Sequence, residues 1–442
     1  MKKILLISAS TLSLAVASSA WADSNTVYLD QTGTDQGATI TQSGTDNTVG
    51  TSGHNNAFVQ GNDTSGTGGN VLSVTQTGNN NSVMPGFQQG TDNTANISQA
   101  GQYSDVTLQQ AGSNNGQPAS PAWNNDSVYN SIVQDTTAYS STISLTQNGN
   151  SNVFDLAQGG TGNKMTVTQD VNDNGYVFVR QSVDPSVPAA DAYGHYYPLG
   201  GDDNTVWVSQ SGTNVNYAVA IQGGGDSNKL AINQNGSLLA ANIWQNGSDN
   251  IANSWQTGNN NAIGMAGTNA YANDNPFVQT GNYNLLNSWQ SGASNNELNG
   301  AQFGTGNAIW SAQYGDGSTA LINQDTSSNY GNYNKVLNFQ GNNAQLVASQ
   351  TNSDGYIYNN QDGYSLATIT QSGYGDKSVG SQFGGTSGLQ NTATVTQSGS
   401  YDVAFYSQNG SNNSVTVIQD GNHNMSSTTQ SGTGNTATVT QH

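Results

Sequence analysis

Side-chain amides are the polar groups with the most regular spacing in this sequence. A Gln returns about every eleven residues within the pattern apolar-x-Gln-x-Gly-x-x-Asn, along nearly the whole chain. These residues are Gln76, Gln88, Gln99, Gln110, Gln147, Gln158, Gln169, Gln234, Gln245, Gln256, Gln279, Gln290, Gln302, Gln313, Gln324, Gln397, Gln408, Gln419, Gln430 and Gln441. An amide donates and accepts hydrogen bonds at once, so the series predicts a bonded array. A repeat this short cannot bury a core alone, so function is expected in a stack of repeats rather than in a pocket.

Some Asp-containing segments could bind calcium through their oxygen atoms. They are residues 201–204, Gly-Asp-Asp-Asn, and the Thr-Asp-Asn segments that contain Asp46 and Asp92. Residues 159–163, Gly-Gly-Thr-Gly-Asn, are similar to a glycine-rich calcium-binding repeat, but that repeat needs Asp where Asn163 stands. We interpret these residues as solvated turn residues, and we expect no metal and no cofactor.

The four His do not indicate a catalytic centre. His54, His195, His423 and His442 are scattered along the chain, and no nucleophile–base–acid set accompanies them. We therefore expect no catalytic residues and no enzymatic activity. One alternative stays open, because some parallel β-helices that act on polysaccharides or serve as adhesins carry Asp pairs in a groove. Such proteins have longer coils with apolar stacks, unlike this sequence.

Thr-x-Thr strands raise a second alternative, an ice-binding surface. That function requires a flat and regular array of Thr. The positions expected to face outward vary too much for this, since we expect Trp207, Trp255 and Tyr406 among them.

Composition sets limits on the partners of the chain. Gly accounts for 54 of the 442 residues and charged residues for 8%, which taken alone would suggest disorder. The regular phase of Val, Ile and Leu instead indicates order. Beyond residue 22 the sequence has 27 acidic residues but only five basic ones, Lys164, Arg180, Lys229, Lys335 and Lys377. This balance argues against nucleic acid and against anionic lipid as partners. The sequence has no Cys, so no disulfide staples it.

Residues 1–22 have the features of a secretory signal peptide. Lys2 and Lys3 form a basic start, residues 4–16 are apolar, and Ala-Trp-Ala at the end offers a cleavage site. We expect the mature protein to begin near Asp23 and to be exported. No later segment is apolar enough to span a membrane, so we expect no membrane insertion.

Each repeat predicts one strand and one tight turn. From Asn435, the residues Asn435, Ala437, Val439 and Gln441 alternate with Thr, and this period of two is typical of a strand. The preceding residues 431–434, Ser-Gly-Thr-Gly, supply the Gly that turns need where φ is positive.

Two such units predict a coil of about 22 residues whose two strands face each other across a thin core. Stacked coils would place like strands parallel, about 4.8 Å apart. The fold class predicted is therefore all-β, a parallel β-solenoid with two facing sheets; a chain of antiparallel hairpins is the less favoured alternative. Inward Gln and Asn would each donate to the same amide one coil above and accept from the coil below. The apolar residues two positions before Gln would fill the core: Leu29, Ile40, Val74, Ile97, Leu108, Leu145, Val167, Val208, Ile232 and Ile243.

The repeat phase is interrupted locally but recovers each time. We therefore expect residues 23–442 to form a single solenoid domain with surface loops. The predicted insertions lie near 48–73, 113–128, 182–204, 259–275, 326–335 and 384–391. The prolines avoid the predicted strand cores, as they must, because Pro cannot donate to a ladder.

The pattern resembles the curlin repeat of curli subunits, Gln-x-Gly-x-x-Asn-x-Ala-x-x-x-Gln. It covers nearly all of the mature chain in degenerate form. The residues assigned to structural ladder and turn positions are Gln88, Gly90, Asn93, Gln99, Gln147, Gly149, Asn152, Gln158, Gln245, Gly247, Asn250, Gln256, Gln408, Gly410, Asn413, Gln419, Gly421, Asn424, Gln430, Gly432, Asn435 and Gln441. The chain departs from the pattern in its length, in its insertions, and in repeats that begin at once after the predicted cleavage site.

The resemblance implies a function. Curlin-repeat proteins are left-handed β-solenoids that polymerise into extracellular amyloid fibres of bacterial biofilms. They are exported through a dedicated outer-membrane channel and templated by a nucleator subunit. We therefore expect a secreted fibre subunit at the bacterial cell surface that assembles with itself at its end strands and supports adhesion. The alternative is a secreted solenoid adhesin, or surface-binding protein, that stays monomeric.

Overall fold

The structure is a computed structural model that describes residues 24–51, 57–61, 69–116, 131–172, 175–182, 200–213, 216–264, 276–292, 294–324, 333–351 and 353–442. The ordered elements in these ranges are β-strands. No helix long and apolar enough to cross a membrane occurs in them. The predicted signal peptide, residues 1–22, lies outside the described residues.

Two compact units divide the chain between Ala231 and Ile232. The N-terminal unit contains two sheets, which we call N1 and N2. Sheet N1 contains Thr26–Val27, Leu29–Thr32, Thr48–Val49, Phe58–Gly61, Ser82–Val83, Phe87–Thr91, Asp105–Ser113, Thr142–Asn148, Lys164–Asn172 and Thr205–Thr213. Sheet N2 contains Gly37–Gln42, Val71–Gln76, Thr94–Gln99, Ser131–Gln134, Val153–Gln158, Tyr176–Gln181 and Tyr217–Gly223.

The C-terminal unit also contains two sheets, C1 and C2. The strand Lys229–Ser237 includes the division between the units. Sheet C1 contains Ile251–Asn259, Leu285–Gln290, Ala308–Gln313, Lys335–Gln340, Tyr356–Gly363, Lys377–Gly385, Val403–Ser411 and Met425–Thr433. Sheet C2 contains Ala240–Asn246, Ala262–Ile263, Phe277–Asn282, Glu297–Thr305, Thr319–Gln324, Ala344–Gln350, Ser365–Gln371, Asn391–Gln397, Ser414–Gln419 and Thr436–Gln441.

Strands within each sheet pair in parallel and in register. Gln110 stands opposite Gln147 in N1, and Gln397 stands opposite Gln419 in C2. Successive strands of the chain mostly alternate between the two sheets of a unit, so that one coil crosses each sheet once. In a few coils two short strands in succession belong to one sheet, as Thr26–Val27 and Leu29–Thr32 do in N1. Each unit is thus a parallel β-solenoid, which confirms the predicted fold class. The handedness and the single-domain organisation stay predictions.

Alternation within the strands places one side chain in two toward the core. In Asn391–Gln397, for example, Ala393, Val395 and Gln397 are buried while Thr394 is exposed. The predicted core residues from Ile40 to Ile243 are buried, and only Leu29 in the first coil is half-buried.

The predicted insertions contain several paired strands. Thr48–Val49 and Phe58–Gly61 lie within 48–73, where Val71–Gln76 begins, and Ala262–Ile263 lies within 259–275. Within 384–391, Thr386 and Leu389 exchange two backbone hydrogen bonds in a loop. The parts of the predicted insertions at 52–56, 62–68, 117–128, 183–199, 265–275 and 326–332 lie outside the described residues.

Candidate functional site: the glutamine and asparagine ladders

Each sheet carries one ladder of buried Gln, in which one Gln per coil bonds to the Gln of the next coil. The ladder of N1 runs through Gln31, Gln60, Gln88, Gln110, Gln147, Gln169 and Gln210, and that of N2 through Gln42, Gln76, Gln99, Gln134, Gln158, Gln181 and Gln222. In C1 it runs through Gln234, Gln256, Gln290, Gln313, Gln340, Gln361, Gln382, Gln408 and Gln430. In C2 it runs through Gln245, Gln279, Gln302, Gln324, Gln350, Gln371, Gln397, Gln419 and Gln441.

Every bond of the ladders has the same direction. The Nε2 of one Gln donates to the Oε1 of the Gln in the following coil, as from Gln88 to Gln110 at 2.7 Å. The same Nε2 also bonds to a backbone carbonyl at the start of a strand in the facing sheet. Gln408 of C1 donates to Thr392 O of C2 at 2.9 Å, and Gln419 of C2 donates to Val403 O of C1 at 3.1 Å. The amides therefore join neighbouring coils and also close each coil across its core.

The Asn of the repeat bond differently from the predicted amide-to-amide ladder. Asn93 Oδ1 accepts the backbone N–H of Asn115 at 3.1 Å, and Asn93 Nδ2 donates to Gly112 O at 3.0 Å. Asn413 repeats this pattern with Asn435 N–H and Gly432 O. The Asn side chains bond mainly to the peptide groups of the next turn, although Asn435 Nδ2 also donates to Asn413 Oδ1 at 2.9 Å and Asn228 Nδ2 to Asn204 Oδ1 at 3.0 Å. Asn thus stacks the turns, whereas Gln stacks the strands.

The turns need two left-handed residues, of which the sequence analysis recognised one. The Gly two positions after Gln often has positive φ, such as 111° at Gly90 and 122° at Gly410. The residue four positions after Gln is left-handed as well, for example Asp46, Asp92 and Asn412 with φ of 56°. Asn, Asp and Gly tolerate this conformation best, which accounts for Asp in the Thr-Asp-Asn segments.

The assigned ladder and turn residues lie where the repeat places them, with differences in the last coils. All the assigned Gln are buried except Gln441, which is half-buried, and Asn93, Asn152, Asn250 and Asn413 are fully buried. Asn424 is half-buried and Asn435 is exposed. Gly90, Gly149, Gly247, Gly410 and Gly432 have positive φ. Gly421 does not, and His423 takes the left-handed position of that turn at 62°.

Several ladder residues were missed because the spacing between successive Gln is not always eleven residues. They include Gln60, Gln134, Gln181, Gln222, Gln340, Gln350, Gln361, Gln371 and Gln382. Gln340, Gln350 and Gln371 each end a strand with alternating burial, so a search for alternation closed by Gln, without a fixed period, would have found residues of this kind.

A polar column in the core of the C-terminal unit was also missed. The position two before Gln in C1 holds Ser254, Ser288, Ser311, Asn338 and Asn359, all buried. Asn359 Nδ2 donates to Asn338 Oδ1 at 2.9 Å, and Asn338 Nδ2 donates to Ser311 Oγ at 3.1 Å. These bonds point toward earlier coils, opposite to the Gln ladders.

Tyr406 continues this column and corrects an expectation. It was expected to face outward, but its side chain is only 3% exposed. Its ring crosses the space beside Gly380, where a Cβ would overlap ring atoms, and its hydroxyl donates to Asn359 Oδ1 at 3.4 Å. Tyr406 lies two residues before the buried Gln408, so the alternation of the strand points its side chain inward. Gly380, which has no side chain, leaves room for the ring. Burial raises the pKa of the Tyr406 phenol.

A buried ion pair lies between strands of N2. Arg180 and Asp155 form two hydrogen bonds, at 2.6 and 3.1 Å, and Ser131 Oγ donates to Asp155 Oδ1 at 2.9 Å. The guanidinium carbon lies 4.2 Å from the centroid of the Phe178 ring. The strand Val153–Gln158 is buried on both faces, so this part of N2 lacks the solvent-exposed face of an ordinary coil.

Aromatic side chains line parts of the surface. Trp255 and Trp289 of C1 are 46% and 48% exposed, and their rings stack with centroids 5.5 Å apart. Trp207, in the N-terminal unit, is exposed as expected.

The Asp and His residues form no chemical centre in the part of the chain that the structure describes. No group of three or more His, Cys, Asp or Glu able to hold a metal occurs there. The side chain of Asp202 accepts the backbone N–H of Thr161 at 2.7 Å, so this carboxylate joins two turns. His54 and His195 lie outside the described residues.

Comparison with known proteins connects this geometry to a family. A family model described as the curlin associated repeat matches residues 388–421 and 410–442. No curated protein matches the chain. The matched residues include the coils of Gln397, Gln408, Gln419, Gln430 and Gln441, whose ladder bonds are those of the preceding coils. The resemblance inferred from the sequence is confirmed at these residues, which carry the curlin associated repeat.

Proposed function

We propose that the protein is a structural subunit of extracellular, curli-like amyloid fibres that support a biofilm matrix and adhesion. The curlin repeat supports this function, and the parallel, in-register solenoid is compatible with it. We further propose that the protein is secreted to the bacterial cell surface and has no catalytic role. Its partners would be other copies of itself, a nucleator subunit and an outer-membrane export channel.

The observation that carries the proposal is the edge of the coil Met425–Gln441. Its strand Thr436–Gln441 pairs with Ser414–Gln419 on one side and has no strand on its other side among the described residues. Ala437 and Val439 are half-buried there, whereas Val415 and Val417 at the same positions one coil earlier are buried. Another coil placed on this edge would complete the burial and continue the parallel hydrogen bonding.

The proposal is tested with residues 23–442, purified unfolded and diluted from denaturant. Thioflavin fluorescence, seeding by preformed fibres and fibre diffraction are measured in turn. We expect seedable fibres with reflections near 4.8 and about 10 Å. A soluble monomer rich in β-structure, unaffected by seeds, would contradict the proposal and favour the monomeric adhesin.

A variant with Thr438→Pro and Thr440→Pro distinguishes edge pairing from general aggregation. The N–H groups of these two residues point away from the paired strand Ser414–Gln419, so Pro removes donors from the open edge and seeded growth should slow. Ser387→Pro, at an exposed residue of the loop within 384–391, is the control. Equal loss of growth in both variants would argue against a special role for this edge.

A further inference from the structure

Two carboxyl groups occupy buried positions that Asn holds in other coils. In the turns that precede strands of C1, Asn250 Nδ2 donates to Gly281 O of the next turn, and Asn284 Nδ2 donates to Gly304 O at 3.0 Å. The corresponding residues of two later turns are Asp376 and Asp402, and both are 0% exposed. These turns therefore have a carboxyl oxygen where their counterparts have an N–H donor.

The surroundings of these oxygens are the same as those of the Asn nitrogens. If Gly201 carried a Cβ, that atom would overlap Gly225 O and lie 2.8 Å from Asn204 Nδ2, so this amide nitrogen and this carbonyl oxygen lie beside the same point. A Cβ on Gly399 would likewise overlap Gly421 O and lie 2.8 Å from Asp402 Oδ2. The Oδ2 atom of Asp402 thus faces a carbonyl oxygen in the place of an amide nitrogen.

Asp376 repeats this arrangement one coil earlier. A Cβ on Gly373 would overlap Gly399 O and lie 2.5 Å from Asp376 Oδ2. Two acceptor oxygens that face each other without a hydrogen repel, and each buried acceptor that stays unsatisfied costs free energy.

The remaining hydrogen bonds leave one oxygen of the pair without a donor. Asp402 N–H donates to Asp376 Oδ1 at 3.1 Å, Gly373 N–H donates to Asp376 Oδ2 at 3.1 Å, and Asn424 N–H donates to Asp402 Oδ1 at 2.9 Å. Asp402 Oδ2 is buried and has no hydrogen-bond partner among the described residues. A hydrogen on Asp402 Oδ2 would let this oxygen donate to the facing Gly421 O.

We propose that the Asp376–Asp402 pair is a proton-binding site of the folded C-terminal unit, in which a carboxylic O–H replaces the amide N–H that Asn donates to the next turn. The bound proton joins the turns at mildly acidic pH, and its loss leaves facing acceptors between them. The fold of these coils is therefore stabilised by acid, unlike that of the coils with Asn.

The electrostatic environment favours the proton. Burial, and secondarily the charge of Asp402, raise the pKa of Asp376 to about 6, against the opposing effect of its two N–H donors. Lys377 follows Asp376, but its ammonium lies over the Tyr356 ring, 5.5 Å from the centroid. The other titratable groups of the stacked turns lie on their outer side: Asp354 with Tyr374, Tyr401 with His423, Asp420 beside Ser398, and His442 near Gly421.

A proton fits this site better than a metal ion. Calcium takes six to eight oxygen ligands, about twice what two carboxylate oxygens and two turn carbonyls offer. The side chains are also fully buried, which leaves no room for several water ligands. One proton satisfies an acceptor without further ligands.

The raised pKa sets the sign of the pH dependence. The folded Asp376 carboxyl binds a proton more tightly than an Asp of the unfolded chain, whose pKa is about 3.9. The stabilisation is complete below that value and is lost as the pH rises through about 6. A shift of about two units corresponds to a change of up to about 100-fold in the local folding equilibrium constant.

The test is hydrogen exchange followed by mass spectrometry on the full chain, with peptides that cover 372–411, between about pH 4 and pH 8. Protection, corrected for the intrinsic exchange rate, is compared between the wild type and the double variant Asp376→Asn with Asp402→Asn. The two should agree near pH 4, and the wild type should lose at least tenfold in relative protection by about pH 7. The exposed Asp420→Asn serves as the control and should follow the wild type.

Identical pH profiles of the wild type and the double variant would overturn the proposal. Restoration of wild-type protection at about pH 8 by calcium chloride, absent in the double variant, would also overturn it, because the pair would then be a cation site. If the double variant does not fold, Asp376→Asn and Asp402→Asn separately carry the same comparison. The experiment uses dilute monomer, so its outcome does not depend on fibre formation.

Discussion

Replacing one Gln in the middle of a ladder should destabilise the coil far more than replacing an exposed Gln of a neighbouring strand. Gln371 accepts from Gln350 Nε2 at 2.8 Å and donates to Gln397 Oε1 at 2.9 Å and to Tyr356 O at 3.2 Å. Gln371→Leu keeps a similar volume but removes all three bonds. It leaves a buried donor of Gln350 and a buried acceptor of Gln397 without partners.

The magnitude follows from those unsatisfied groups. Each buried polar group that loses its partner costs about 1–3 kcal/mol, so two of them cost about 2–6 kcal/mol. The matched control is Gln345→Leu in the strand Ala344–Gln350, where the side chain of Gln345 is exposed. A surface substitution of this kind changes stability by about 0.5 kcal/mol or less.

Local stability is the appropriate measurement, because a long repeat protein need not unfold in one step. Hydrogen exchange of freshly diluted monomer, read on peptides that cover 344–371, reports the free energy of opening of these coils. We expect a loss of protection of at least about 30-fold in Gln371→Leu, corresponding to 2 kcal/mol. Equal protection in Gln371→Leu and Gln345→Leu would refute the view that the amide ladder holds the coils together.

Three further substitutions test other contacts, each measured by hydrogen exchange of the monomer on peptides that cover the substituted coil. Gly380→Ala should destabilise by about 1–3 kcal/mol because the new Cβ overlaps the Tyr406 ring. The same substitution should cost less in a Tyr406→Ser background, where the ring is absent; an equal cost in both backgrounds would mean that the overlap is not the cause. Asp155→Ala should lower the stability of the coil by about 3–5 kcal/mol because it leaves the Arg180 guanidinium buried without its carboxylate. The double variant Asp155→Leu with Arg180→Met should lose much less stability, and equal losses in the two variants would contradict this account. Asn413→Asp should weaken the coil at neutral pH and less so near pH 4, since only a protonated carboxyl can donate to Gly432 O; a loss independent of pH would count against it.

The fold was predictable from the sequence because two local signals agree. Alternation within each strand and Gly in each turn specify a strand-turn unit, and the recurrence of Gln in phase specifies how the units stack. Gln88, Gln99 and Gln110, for example, were placed in ladders from spacing alone, and the structure bonds them to ladder neighbours as expected. Local propensity and the requirement to satisfy buried amides thus lead to one architecture.

The details that escaped prediction depend on interactions between coils. The bonding of Asn93 to peptide groups follows from the approach of the next turn, which no single repeat contains. Tyr406 lies in the core only because Gly380 is its neighbour in the preceding coil, 26 residues away in the printed sequence. The Asp376–Asp402 pair is likewise created by stacking, since each carboxyl alone looks like an ordinary turn residue.

The Gln ladders bond coil to coil without regard to how many residues separate the partners. Bonded Gln are 21 residues apart at Gln340 and Gln361, but 41 apart at Gln169 and Gln210. Extra residues are therefore accommodated outside the paired strands, and the pairing resumes in the same register. At the level of the gene, duplication or loss of a DNA segment that encodes a whole coil preserves every ladder contact. Duplication or loss of a segment that encodes half a coil instead moves every later strand to the opposite sheet. The length of such a protein can thus drift in steps of one coil while its cross-section stays constant.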